Sequence, residues 1–187
     1  MWIVVVSLIL VVFFALCSSL FALMATSVPV VRTPEKMLAE ISKLAAVQKS
    51  RIIVDAGCGD ARTLLALCAT QAACGRGYEL NGPLKVFAMF RVLLAGRRKS
   101  IKIYFRDFFR CELEDVDLVY CFLMPAVMRR VGRKCLEEMR PGTRLVSYLW
   151  EVPDWEPTET IKLGGREDPL FIYVLEPEIK KDTNLPN

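Results

Sequence analysis

The sequence contains no histidine. That absence excludes Ser-His-Asp and Cys-His nucleophile chemistry, and most transition-metal sites with them. No C-x-x-C occurs. The seven cysteines, at 17, 58, 68, 74, 111, 121 and 135, are odd in number and scattered. Neither a disulfide framework nor a zinc site fits that pattern, and no metal is expected. Most of these cysteines lie among apolar neighbours and read as small buried side chains, a usage suited to a reducing compartment. Internal repeats and low-complexity segments are absent as well. Charge is missing from residues 2–24, where Ser7, Ser18 and Ser19 are the only hydroxyl or amide side chains.

That uncharged run accounts for much of a hydrophobic fraction of 53% over 187 residues. About twenty apolar residues cross a bilayer as a helix. A secretory signal would carry a basic leading region and a shorter apolar core. Here the first basic residues, Arg32, Lys36 and Lys43, all follow the run. Residues 2–24 therefore read as a transmembrane anchor of a single-pass protein, with the body on the cytoplasmic side, or the matrix side in an organelle. A cleaved signal or a misassigned start is the alternative; Ala22 to Ala25 is a weak cleavage pattern. The net charge of +4 is mild. Arg97-Arg98-Lys99 and the group Arg129, Arg130, Arg133 and Lys134 read as a solvated loop and a solvated helix face, or as attraction to anionic lipid or an acidic partner. A nucleic-acid binder would be more basic and would interleave aromatics with the charges.

Four parts follow from this: the anchor at 2–24, an extended linker at 25–32, a domain at 33–177 and a disordered tail at 178–187. In the domain, Thr33 caps a helix and Pro34 suits its first position. Met37, Leu38, Ile41, Leu44 and Ala45 give it a buried face. Strands are expected at 51–55, 77–80, 101–105, 117–123 and 143–150, with helices at 62–73, 83–95 and 125–139 between them. Two closing strands lie at 159–163 and 169–176. Alternation of this kind specifies an α/β fold, a mostly parallel sheet covered on both faces, with an antiparallel pair at one edge. Ligands bind such sheets at the carboxyl ends of the strands, near the topological switch point.

Those strand ends carry the chemistry. The first ends in Asp55-Ala-Gly57-Cys-Gly59-Asp60. Glycines there allow positive φ and close approach of backbone to a ligand. The dinucleotide pattern G-x-G-x-x-G would need glycine at 62, where Arg62 stands. The second strand ends in Glu79, followed by Asn81, and an acidic residue at that point accepts from both hydroxyls of a ribose. The third ends in Arg106-Asp107-Phe108, where a carboxylate can accept from an exocyclic amine and Phe108 can cover an aromatic base.

The ordered D-x-G-x-G loop and two acidic strand ends resemble the class I S-adenosylmethionine-dependent methyltransferases, over about residues 33–177. A narrower similarity runs through "RTPEKML", "VDAGCGDAR", "GYELN", "DFF", "DLVYCFLMPAVM", "RPGTRLVS" and "EVPDWEP". These resemble the protein-lysine methyltransferases of the ATP synthase c-subunit and their archaeal and bacterial relatives. The resemblance implies a Rossmann-like methyltransferase sheet and S-adenosylmethionine as cofactor. It places Asp55, Gly57 and Gly59 along the cofactor's methionine side, Glu79 at the ribose and Asp107 at the adenine, with Asp60, Asn81 and Phe108 beside them. It also implies a lysine side chain of a membrane-embedded protein as substrate. The chain departs from the family at Ala61, where glycine is common, and at Asn81-Gly82, where Asn-Pro is common.

Tyr148, Trp150 and Trp155 follow the fifth strand and are candidates to hold a substrate amine by cation–π contact; packing against the closing strands is the alternative. Glu151 can orient the amine. No residue stands out as a general base. The place after the fourth strand reads Phe122-Leu123-Met124-Pro125, without the N/D-P-P-Y/F of enzymes that methylate amines in nucleic acid. Three functions remain open on sequence: an anchored protein-lysine methyltransferase, a lipid or small-molecule methyltransferase at the membrane, and a binding module without activity.

Overall fold

The computed structural model describes residues 2–25, 33–47, 52–69, 73–163 and 168–176. Residues 26–32 of the expected linker and the whole expected tail, 178–187, lie outside the described residues. Ile52, Ile53 and Val54 bring the β-branched bulk that suits a strand covered on both faces. They form β1 (Ile52–Ala56), whose last four residues are all buried. β4 (Leu118–Cys121) is apolar and fully buried, and lies parallel to β1 with Asp55 opposite Tyr120. Parallel to these run β2 (Cys74–Tyr78), β3 (Ile101–Tyr104) and β5 (Arg144–Tyr148). The closing strands, β6 (Glu159–Leu163) and β7 (Asp168–Val174), pair antiparallel with each other, and β7 is also antiparallel to β5. The sheet order is β3-β2-β1-β4-β5-β7-β6. The order reverses between β1 and β4, so the switch point lies at the carboxyl ends of those two strands.

Helices cover both faces. On one lie α2 (Glu35–Val47), α3 (Arg62–Leu67) and α4 (Gly82–Leu94). They share a core with the sheet through Met37, Ile41, Ile53, Leu64, Ala88, Val92 and Tyr120. On the other, α5 (Pro125–Glu138) buries Met128, Val131 and Cys135 against Val54, Val119 and Leu145. Each fully buried aliphatic side chain of this kind contributes about 1.5–3 kcal/mol relative to exposure. Among the described residues, α1 (Trp2–Ala25) contributes none to either core, and its residues 2–19 are mostly exposed. Its stretch Trp2–Ser19 has a mean hydropathy of 2.7, long and apolar enough to cross a membrane by length and composition.

One strand lies elsewhere than the sequence suggests. β2 begins at Cys74, not Gly77, and ends at Tyr78. Its glycines disguise it, yet a side chain fits at neither of them. A Cβ on Gly75 would lie 2.9 Å from the Cys68 sulfur, and one on Gly77 only 2.6 Å from that of Cys58. The strand gives up side chains so that α3 and the loop after β1 can press against it. α3 is also shorter than expected, closing at Leu67 with Cys68 as its cap.

Candidate active site

The loop after β1 turns back over β2. The amides of Gly57 and Cys58 both donate to the Tyr78 carbonyl, at 3.0 and 2.9 Å. Gly57 has φ 90° and Gly59 φ 53°, a region that side chains make costly. A Cβ on Gly57 would sit 3.0 Å from the Leu123 side chain, whereas one on Gly59 would meet nothing within 4 Å. Gly59 thus faces open space, as a cradle for a ligand requires. Ala61 takes φ 62° at the start of α3. Glycine is the easy residue there, which explains in backbone terms why glycine is expected at that position.

Glu79 organises the loop. One carboxylate oxygen accepts from the Gly59 amide at 2.8 Å and the other from the Asn81 amide at 2.7 Å. Each oxygen keeps a second lone pair, which is what a ribose diol needs. The Asn81 side chain is spent locally: its oxygen accepts from Leu84 N–H at 3.0 Å and caps α4.

Asp55, Gly57, Gly59 and Asp60 line one cleft together with Thr33, Leu84, Tyr120 and Phe122. Asp55 is 2% exposed, and burial, then the nearby Glu79 and Asp60, push its carboxyl up to about 8. Asp60 goes the other way. Burial would raise it, but hydrogen bonds from Arg62 and the charges of Arg62 and Arg91 hold it below the usual carboxylate value. Arg62 lies 2.9 Å and Arg91 3.3 Å from the same Asp60 oxygen. Arg62 also reaches Glu35 at 3.1 Å, which ties α2 to the loop. Asp60 therefore fixes the wall of the cleft.

The remaining expected residues divide. Asp107, past β3, is half-buried and accepts from Phe109 N–H at 3.0 Å, with its second oxygen not engaged in that bond. Phe108 is 5% exposed, its ring edge-on to Tyr78 and Phe109 in the core. Its ring lies in the core, so the expected cover for a base is not offered by that ring. Tyr148 is buried, packs edge-on against Phe122 at 4.8 Å and points its hydroxyl at Asp168, 3.2 Å away. Trp150 is 40% exposed at the same end of the sheet. Its loop is held firmly: Leu149 takes φ 70°, its amide donates to Pro169, and Ser147 donates to the Trp150 carbonyl. A bulky residue held at positive φ marks a position fixed by its surroundings. Trp155 lies on the opposite face, against Tyr173 and α5, where a Cβ on Gly132 would come within 3.5 Å of its ring. That packing places it outside the cleft lining.

Sequence reasoning missed Tyr120, Phe122 and Thr33. Tyr120 and Phe122 sit two apart along β4 and its extension and so share a face, a signal hidden by the strand being apolar throughout. Thr33 reads as a helix cap, but its hydroxyl lies 3.1 Å from the Tyr120 hydroxyl, and both residues line the cleft.

The three arms of this arrangement (an open glycine turn, a carboxylate with two free lone pairs and a buried acid able to ionise beside a cation) fit S-adenosylmethionine. Residues 55–159 match the family model described as the ANTKMT methyltransferase domain. The chain is 30% identical over 151 residues to a protein-lysine N-methyltransferase of Saccharolobus islandicus, covering 79% of this chain and 94% of that protein. To the human lysine N-methyltransferase of the ATP synthase c-subunit it is 26% identical, covering 81% of this chain and 64% of that protein. To the mouse adenine nucleotide translocase lysine N-methyltransferase it is 31% identical, with 65% and 52% covered. The chain thus spans about half of the mouse enzyme. Among solved structures, an RNA methyltransferase from Salinibacter ruber in complex with S-adenosyl-L-homocysteine superposes with a TM-score of 0.74, at 27% identity, over 81% of this chain and 98% of that one. With the glycine loop, both acidic strand ends and the sheet order in place, the chain belongs to the ANTKMT methyltransferase domain family and is an S-adenosylmethionine-dependent methyltransferase.

Proposed function

We propose that the chain is a protein-lysine N-methyltransferase that works at a membrane surface. The observation that carries the reading is the match along 94% of the archaeal protein-lysine enzyme, joined to the cleft at the switch point. Asp55 and the turn at Gly57 and Gly59 hold the cofactor's methionine end, Glu79 its ribose and Asp107 its adenine. The cofactor supplies a methyl group on a sulfonium, ready for in-line displacement.

This chain supplies position and a dry wall. A lysine amine must shed its proton first, which at pH 7 costs roughly 4–5 kcal/mol from a reference value near 10.4. Burial against apolar surface favours the neutral amine and lowers that cost. Tyr120 and Phe122 line the cleft, and Tyr148 backs Phe122. Trp150, presented by its fixed loop, is the aromatic best placed to meet a methylated cation at the rim. No side chain is assigned as a base. The name of the Salinibacter enzyme points to RNA. Residues 122–125, Phe-Leu-Met-Pro, and the mild charge support protein instead.

α1 anchors the enzyme in this reading, with the catalytic domain on the cytoplasmic or matrix side and a lysine of a small membrane protein as target. Only about eight residues separate the apolar run from Thr33, an extended reach under about 30 Å. The test compares the full chain with one lacking residues 1–27, using labelled cofactor on membranes and on a soluble lysine peptide. The label is then divided among protein, lipid and RNA. Removal of α1 should cut protein labelling in membranes and spare the peptide. Label in lipid or RNA contradicts the substrate class. Loss of peptide methylation in a truncated chain that still melts cooperatively makes α1 part of the catalytic domain.

A further inference from the structure

α4 is apolar nearly all the way round. Ala88 and Val92 face the sheet and are buried, while Val86, Phe87, Met89, Phe90, Leu93 and Leu94 are exposed, Leu94 by 72%. A helix on a water-facing surface carries one apolar stripe and polar residues elsewhere. Here Lys85 and Arg91 are the only charged residues of the helix, and Arg91 is turned in to Asp60. Contiguous exposed apolar surface of this extent marks an interaction site.

Its neighbour identifies the partner. Over residues 2–19 α1 is mostly exposed, and the half-buried residues of that stretch are the small ones Ala15, Ser18 and Ser19, one helical stripe. That stripe meets the amino end of α4, where a Cβ on Gly82 would lie 2.9 Å from the Ser18 hydroxyl. The apolar surface of α1 therefore continues directly into the outward face of α4. At the far end of α4, Arg98 and Lys99 are exposed in the turn before β3. An apolar face beside exposed cations is the pattern of a helix lying in the boundary between lipid headgroups and acyl chains.

We propose that the outward face of α4 is a second membrane contact, lying in the interface of the bilayer that α1 enters, with Arg98 and Lys99 on lipid phosphates. The proposal rests on the reading of α1 as a membrane helix. Its consequence is orientation. Asn81, which caps α4, is bonded to Glu79, so an α4 laid on the bilayer holds the cofactor cleft at a fixed height above it. Two contacts fix which lysines of a membrane protein can reach the cleft.

The test uses the full chain in phosphatidylcholine vesicles containing phosphatidylglycerol. The photo-crosslinker p-benzoylphenylalanine replaces Phe90 on α4, Leu10 on α1 or the exposed Glu156 in three separate preparations, and adducts are read by mass spectrometry. Lipid adducts at Leu10 and Phe90, with none at Glu156, are expected. Adducts at Leu10 with none at Phe90 overturn the α4 contact and leave the anchor standing. Crosslinks from Phe90 to a second copy of the chain also overturn it, in favour of a dimer face. No lipid adduct at Leu10 overturns the anchor itself, and the α4 proposal with it.

Discussion

Glu79→Ala is expected to weaken binding of S-adenosylmethionine by at least tenfold, and on the order of a hundredfold, because each charge-assisted hydrogen bond lost costs about 1.5–3 kcal/mol. Two such bonds are visible in the protein alone, to the amides of Gly59 and Asn81. Without them the glycine turn loses the group that sets its register over β2, and the Gly59 amide is left without that acceptor. In the proposed binding mode the ribose would lose its acceptor too. Calorimetric titration of the variant measures the change, with circular dichroism as the check on folding. Asp107→Ala should be milder, since among the described residues that carboxylate bonds one amide, in a short turn of its own segment. Unchanged affinity in a folded Glu79→Ala protein would place the ribose elsewhere.

Asp55 gives the second large effect, and it is read in pH. Its carboxyl is raised to about 8 by burial and by Glu79 and Asp60, so at pH 7 the free protein holds it mostly protonated. A cationic methionine end binds the ionised form better, so binding expels a proton. Wild-type affinity divided by that of Asp55→Asn should therefore rise with pH toward tenfold per unit, and level off above about 8. Taking the ratio removes the titration of the cofactor's own amino group. Stability runs the opposite way. An acid whose folded value is raised contributes fully below its unfolded value of about 4 and loses that contribution as pH climbs to about 8. The cofactor-free wild type should thus lose melting temperature across that window relative to Asp55→Asn. A ratio that stays flat with pH would show that Asp55 is ionised already or does not face the cofactor.

The sheet was legible because apolar runs and turn residues alternate regularly, and β1, β3, β4, β5 and the closing pair fall where that pattern puts them. β2 was not, because its interior glycines serve close packing against Cys58 and Cys68, and such packing leaves no propensity signal. The acidic strand ends could be read since strand ends are where a sheet can present charge. Which carboxylates face a ligand and which face arginines could not, because Arg91 comes to Asp60 from another helix. The same limit applies to aromatics. Trp150 and Trp155 look alike five residues apart, but the chain bends at Leu149 and at Asp154, both at positive φ, and Trp155 ends against α5. The outward face of α4 is written plainly in residues 82–94, yet an apolar helix in a sequence reads as one that packs on its sheet. Its exposure depends on what the sheet leaves uncovered.

The reading of the chain as a protein-lysine methyltransferase at a membrane stands or falls on the chemical identity of the methylated atom. The full chain is incubated with methyl-labelled S-adenosylmethionine and membranes, the protein fraction is hydrolysed to amino acids, and the labelled product is identified by mass spectrometry, with Glu79→Ala in parallel. Label is expected on the Nε of lysine from a membrane protein, lost or strongly reduced with Glu79→Ala. Label confined to an oxygen, to lipid or to RNA, or no label from a chain that is folded and loaded with cofactor, would contradict that reading.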